Sequence, residues 1–422
     1  MKNPLSLHST QGSPLQRSII SIAIILIMNL WSFLPYLQSE WSITYFPRFL
    51  FVLFGTIIFL TGKNYRITSI DRMAIWTIMT LILSSVPAYI DYHQSFLSSF
   101  SIISYSFYGF LLYFVVRGWN ISEKCILKIL GRISIVWVIL EIGQQFTYPS
   151  FWFSGRYLLN YEIENRMGLW RFYIWGIDFV MIAFSIYYGK IVYEYSLNKK
   201  RITNILITSF LLLGILCYGS RKHIYCVLIV IAYSFFNVSN NKKWSFGFIL
   251  LLFFLYLYTE FYSSFVEMNE TISANQGVGE DFVRVLEAKY FLFDFSNSPL
   301  YPIFGSGVNG ATGSLATKIN FIQDTYGFYQ ADCGIIGYYS RTGLVGVSAV
   351  VYYIYIVLKE WRYIDLGYRY FFIMKMVLLF FDFWAMWNVG MAAYAIFIYL
   401  LNKNILKNKL SDVKRYKIHE IR

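Results

Sequence analysis

The sequence predicts an all-α, polytopic membrane protein of about twelve transmembrane helices with one large extracytoplasmic loop. Three observations predict it. Of 422 residues, 57% are hydrophobic and 14% charged, and mean hydropathy is +0.50, whereas soluble domains carry about 25% charged residues. Apolar runs of about 20 residues, enough to cross a hydrocarbon core about 30 Å thick, recur along the chain. Basic residues cluster in every second connection, as the positive-inside rule requires. This composition excludes a soluble enzyme, a disordered chain and a collagen-like fibre. A net charge of +13 in a soluble chain would suggest a nucleic-acid partner. Its placement beside the apolar runs points to lipid headgroups, and no nucleic acid is expected.

The elements follow in order. A polar N-terminal stretch, Met1 to Arg17, precedes an apolar run too long for a signal peptide and without a small-residue cleavage site, so the first helix is retained. The spans fall at 18–36, 44–62, 73–90, 97–116, 132–147, 171–189, 203–218, 223–238, 244–262, 334–358, 371–386 and 388–402. With both termini cytoplasmic, the inner connections hold most of the 36 basic residues, among them Lys63, Arg66 and Arg72, then Arg117, Lys124, Lys128 and Arg132, then Lys199, Lys200 and Arg201. The basic tail, 403–422, reads as a headgroup contact, since anionic lipid attracts each Lys or Arg by about 1 kcal/mol. Lys375 and Asp382, seven apart on one helix, read as a local pair or as snorkelling side chains. The whole chain, 1–422, forms one transmembrane domain.

Two connections are long, and both fall outside: 148–170 and 263–333. A structureless loop of the second one's length is uncommon and usually functional. Within it, Phe282, Val285, Leu286, Lys289 (by its stem), Tyr290 and Phe293 recur at steps of three and four. That spacing predicts an amphipathic helix over 279–294 lying on the bundle. The following SPLYPIFGSGVNG breaks the helix with prolines and glycines. No internal repeat of the kind many transporters carry is visible.

The informative anomaly is basic residues on the outer side, where charge near the bilayer is costly and marks function. Arg221, Lys222 and His223 lie in GSRKH between two helices. Arg171 opens the sixth span, with Arg156 and Arg166 just before it; Arg284 lies on the loop helix and Arg341 at the edge of the tenth span. Guanidinium groups bind phosphate through a planar bidentate fork, so several converging on one cavity suit a diphosphate. Each has a plainer reading: Arg156 and Arg166 pair with Glu162 or Glu164, Arg341 snorkels, and His223 is a hydrogen-bonded helix-end residue rather than a base. Asp324 and Asp332, before the tenth span, suit either proton acceptance from a sugar hydroxyl or, for Asp332, helix capping. Glu141 and Asp178, in outer halves of their helices, suit pairing with the arginines or holding a sugar. No metal-ligand spacing and no cofactor motif is present, and the four cysteines show no CxxC pair.

At these residues the chain resembles the O-antigen polymerase and O-antigen ligase superfamily of bacterial envelope glycosyltransferases. The resemblance covers roughly 155–345 in three pieces: GSRKHIY; Arg284 followed by LEAKYFLFDFSNSPLYPIFGSGVNG; and YQADCGIIGYYSRTGLVGV. It implies a GT-C-like, metal-independent glycosyltransferase in the bacterial cytoplasmic (inner) membrane. Its donor would be a glycan on undecaprenyl diphosphate, bound by Arg221 and Arg284, and its surroundings a flippase and a chain-length regulator. Tyr290 stands where relatives often carry Trp, and is a candidate sugar contact. Ligases of the family carry a His late in the loop; this chain has none between 224 and 418, and Asp324 occupies the comparable place. The implied activity is therefore polymerisation of repeat units into O-antigen, capsule or exopolysaccharide. The alternatives are ligation to lipid A core and, in a different class, a flippase or transporter.

Overall fold

A computed structural model of the chain describes residues 12–28, 30, 40–61, 67–150, 165–166, 169–172, 174–197, 202–238, 283–310, 312–383 and 388–420. Its helices are α1 (Pro14–Ile27), α2 (Glu40–Thr61), α3 (Ser69–Leu83), α4 (Ser85–Tyr92), α5 (Phe96–Gly118), α6 (Glu123–Thr147), α7 (Ile177–Ser196), α8 (Ile202–Cys217) and α9 (Arg221–Ser234). Then come α10 (Val283–Lys289), α11 (Tyr301–Phe304), α12 (Ser314–Tyr326), α13 (Ile335–Lys359), α14 (Leu366–Leu378) and α15 (Asn388–Glu420). The described β-structure is a two-residue antiparallel pair, β1 (Asn165–Arg166) with β2 (Leu169–Trp170). The fold is all-α.

Helix starts are written locally. Ser13 with Gln16 and Thr68 with Asp71 form reciprocal capping boxes at α1 and α3, and Ser95 and Ser122 cap α5 and α6. These side chains satisfy backbone N–H groups that have no intrahelical partner. Among the described residues, three helical stretches are long and apolar enough to cross a membrane: Ser69–Tyr92, Ile335–Lys359 and Val389–Asp412. A bent pair, Phe96–Ser104 with Tyr108–Gly118, makes a fourth if it acts as one span. Helices occupy eleven of the twelve expected positions, but several are shorter or less apolar than a span, so the count of twelve crossings is an expectation that the described helices meet only in part. The span expected at 244–262 lies outside the described residues.

Three expectations are corrected. The sixth span begins at Ile177 rather than 171, because Leu169 and Trp170 pair with β1 and Gln145 holds both the N–H (2.9 Å) and the carbonyl (2.6 Å) of Trp170. The basic tail continues α15, and its first turns contact protein: Lys403 bonds Asn120, Asn404 bonds Asp365, and Lys407 and Lys409 pair with Glu123 (3.6 Å) and Glu360 (2.6 Å). The loop helix buries a different face from the one its apolar spacing suggested. Val285 and Leu286 are exposed and Phe293 is 73% exposed, while Glu287, Phe291 and Phe295 are buried. Ion pairing at Glu287, described below, turns the helix.

Close packing of α7 on α14 rests on glycine. A Cβ at Gly189 would lie 2.4 Å from the amide nitrogen of Gly367. Inside α13, in its N-terminal half, Gly343 adopts φ +63°, ψ −164° and breaks the helix. The glycine-rich segment after α11 docks there, Ser306 N–H donating to Ser340 O at 2.8 Å and Gly307 N–H to Arg341 O at 3.0 Å. Helix α12 was not anticipated, although its buried Leu315, Ala316, Ile319 and Ile322 follow helical spacing.

Replacing Gly189 by valine is expected to force α7 from α14 and to destabilise the protein by about 2 kcal/mol or more. Thermal unfolding in detergent measures this; an unchanged midpoint contradicts the close approach.

Candidate functional site

The bundle has two distinguishable ends. Helices α6 and α14 both begin beside the basic tail, where Glu123 and Asp365 meet Lys407 and Asn404. They therefore finish at the opposite end, where α7, α9 and α13 begin. The candidate residues gather at this second end in two clusters.

The first cluster lies where α7, α9 and α14 meet. Asp178, in the first turn of α7, suits the positive end of that helix. It accepts a hydrogen bond from the Lys375 ammonium of α14, which is only 3% exposed. Lys222 of α9 pairs with Asp382 in the turn after α14. Lys375 and Asp382 thus do not pair with each other: each is seven residues from the other on one strand of chain, and each finds a closer opposite charge on another helix. Asp178 likewise pairs with a lysine of another helix. His223 is buried, its Nδ1 2.9 Å from Ser220 Oγ and its ring edge-on to Tyr218. That is the helix-end role.

Arg221 is the first residue of α9 and half-buried, and it makes no ion pair among the described residues. Ser220 supplies no side-chain capping bond, so the first-turn N–H groups of α9 lack the partner that a cap usually brings. Arg171 packs at Gly219, where an added Cβ would lie 3.6 Å from its Cγ. Among the described residues, four cations (Arg171, Arg221, Lys222, Lys375) and two ion-paired carboxylates, Asp178 and Asp382, surround this turn. Two of the cations sit at a helix N-terminus, where the dipole disfavours positive charge. Beneath the turn, Glu141 of α6 is fully buried and neither carboxyl oxygen has a hydrogen-bond partner. It stands one turn from Trp137, whose Nε1 donates to Trp175 O at 2.9 Å, and one turn from Gln145, which holds Trp170.

The second cluster is built by the loop. Arg284 of α10 donates to Glu287 and to Asp332, both at 2.8 Å. Glu287 is fully buried and also accepts the Tyr329 N–H. Burial works against the charge on Arg284, but Glu287 and Asp332 more than offset it and raise its pKa above the ordinary arginine value. Asp332 thus serves as an ion-pair partner. Arg341 donates to Gln330 at 3.1 Å, and Gln330 donates to Ser340 at 2.8 Å. Asp324 is exposed on α12. Tyr290 sits half-buried among Phe295, Tyr326 and Phe328. Arg166 lies on β1, in register with Leu169, and Arg156 lies outside the described residues.

The turn after α14 joins the clusters. Asp382 holds Lys222, while Leu379 O accepts the Ile335 N–H at 2.8 Å, three residues beyond Asp332, and Phe383 packs on Tyr338. Arg221 and Arg284 are linked through this turn and, among the described residues, share no ion-pair partner. The sequence reading missed Lys222, Lys375 and Asp382 as a unit; intramembrane charge on several helices was the available signal. Among the described residues, no group of three or more His, Cys, Asp or Glu is placed to hold a metal. No family model matches the chain, and neither a curated protein nor a solved structure matches it.

Asp178→Asn is expected to leave the Lys375 ammonium buried without a counter-charge and to cost about 3–5 kcal/mol. Adding Lys375→Met should recover most of that loss. Unfolding midpoints in detergent for the single and double variants check both statements.

Proposed function

We propose that this protein is a repeat-unit polymerase of a bacterial cytoplasmic membrane. It would cross the membrane about twelve times with both termini inside, taking a glycan on undecaprenyl diphosphate as donor. The observation that carries the reading is the gathering of Arg171, Arg221 and Lys222 at the uncapped start of α9, where Arg221 makes no ion pair among the described residues. A helix N-terminus ringed by guanidinium and ammonium groups is a fitted receptor for phosphate oxygens. A bound diphosphate reverses both unfavourable features of that turn, the mutual repulsion of the cations and their opposition to the helix dipole. The resemblance of GSRKHIY and the Arg284 segment to the O-antigen polymerase superfamily supports the same reading, and the lack of a late loop His favours polymerase over ligase.

In the reaction, a hydroxyl oxygen of the acceptor repeat unit bonds to the donor's anomeric carbon. The bond from that carbon to the diphosphate breaks, and its electron pair leaves on the diphosphate. Arg221, Arg171 and Lys222 stabilise the charge that develops on the departing oxygens, the interaction that counts most when aimed at transition-state charge. The hydroxyl proton passes to a loop carboxylate, for which Asp324 is exposed and makes no ion pair among the described residues, whereas Asp332 holds Arg284. Lys375, Asp178 and Asp382 hold the helix ends in register.

Arg221→Ala is expected to lower polymer formation by about 10- to 100-fold, the worth of one charged hydrogen bond at ~1.5–3 kcal/mol, while single repeat units still reach the cell surface. Arg221→Lys should retain part of the activity, because it keeps the charge and loses the fork. Gel analysis of surface glycan checks this, with immunoblotting for membrane insertion; normal chain length in Arg221→Ala contradicts the assignment.

A further inference from the structure

Helix α12 has an outward face of which the reaction above uses only Asp324. Its inner face, Leu315, Ala316, Ile319 and Ile322, is buried against the loop core. Its outer face presents Thr317, Asn320, Phe321, Asp324 and Thr325, all exposed. These recur at helical spacing, so one surface strip carries an aromatic ring, an amide, a carboxylate and two hydroxyls. Phe321 is 59% exposed and Tyr326 51% exposed. They meet edge to face at 6.2 Å, and Tyr326 stacks on Phe328 at 5.6 Å. The helix stops at Gly327, whose φ of +68° turns the chain back and lays Phe328 against Tyr326. Tyr290 closes the group from the neighbouring helix, and Tyr329 follows, 45% exposed, its N–H on the carboxylate that holds Arg284.

We infer that this face is a saccharide-binding platform, on which sugar rings of the growing glycan lie as they extend from the diphosphate. The inference rests on the polymerase reading and names a site for the part of the substrate that the cationic turn does not touch. Aromatic faces suit the apolar face of a pyranose, and an amide, a carboxylate and hydroxyls beside them suit its ring of hydroxyl groups. A lipid surface fits less well. Helices that lie on membranes carry Lys and Arg along their polar face. Here the exposed charge on the strip is Asp324, and the one lysine of α12, Lys318, is turned inward to the Phe295 carbonyl and ring. The platform is continuous with the Arg284 cluster through Tyr329 and Glu287, so a glycan that runs outward past that cluster meets it.

The test uses the full chain in nanodiscs. The probe is polysaccharide from the parent cells, freed of lipid by mild acid. Phe321→Trp places an indole on the platform, and its emission, read as the difference from wild type, should shift saturably with the probe. Phe321→Ala with Tyr326→Ala should weaken probe binding by about tenfold, equivalent to 1.4 kcal/mol, and should shorten the polymer made in cells. Binding needs no catalysis, so it is read apart from the polymerase reading. Probe that binds wild type and not the double variant supports the platform even if Arg221→Ala still polymerises. Probe that binds both equally, or binds neither, overturns it even if Arg221→Ala is inactive. Quenching of the new indole by brominated lipid, with no response to polysaccharide, also overturns it and makes the face a membrane contact.

Discussion

A lysine ammonium enclosed within an apolar bundle must have a counter-charge, and Lys375 has Asp178. The pair joins α14 to the first turn of α7. Seven residues further along the chain, Asp382 takes Lys222 and so ties α9 to the same place. An unpaired charge at such depth would be prohibitive, so the two pairs set where three helices end relative to one another. Glycine allows the same approach, since α7 and α14 meet backbone to backbone at Gly189 and Gly367. The loop is fastened to this frame through Leu379 and Ile335, which brings Arg284, Asp332 and Arg341 to the end of the bundle that also carries Arg171 and Arg221.

What the frame leaves over is positive charge. Its two carboxylates are taken by two lysines, and among the described residues Arg221 of the same turn makes no ion pair. Arg284 differs: two carboxylates already hold it, one of them fully buried, so in the empty protein it orders the loop. Under the proposed reading the labour divides: Arg221 and Arg171 would face the diphosphate, while Arg284, held by two carboxylates, builds the wall beside it. Glu141 adds an acid with no partner beneath the same turn. A buried polar group left without a hydrogen bond costs free energy of about 1–3 kcal/mol, a cost that marks this position as shaped by something other than stability.

Much of the helix layout was legible because apolar length and loop charge are one-dimensional properties. Capping residues such as Ser13, Thr68 and Ser122 mark starts in the same local way. The prominence of Arg221 and Asp178 was also legible, since charge among apolar residues is conspicuous. Partner choice was not. Lys375 and Asp382 look like a pair in sequence, yet long-range packing gives each a nearer opposite charge. The face of α10 was misjudged for a related reason: periodicity ranks Val285 and Leu286 as the inward side, whereas the double acceptance at Glu287, from Arg284 and from Tyr329, turns a charged residue inward. Helix α12 went unread in a segment whose polar outer face masked a regular inner one.

The most direct measurement of the central claim, that cations at the start of α9 grip a lipid diphosphate, is retention of undecaprenyl diphosphate by purified protein in nanodiscs, followed by native mass spectrometry. Wild type should retain the diphosphate in preference to the monophosphate, inorganic pyrophosphate should displace it, and Arg221→Gln should lose it. Equal retention of the two lipids, unaffected by Arg221→Gln, would contradict the claim.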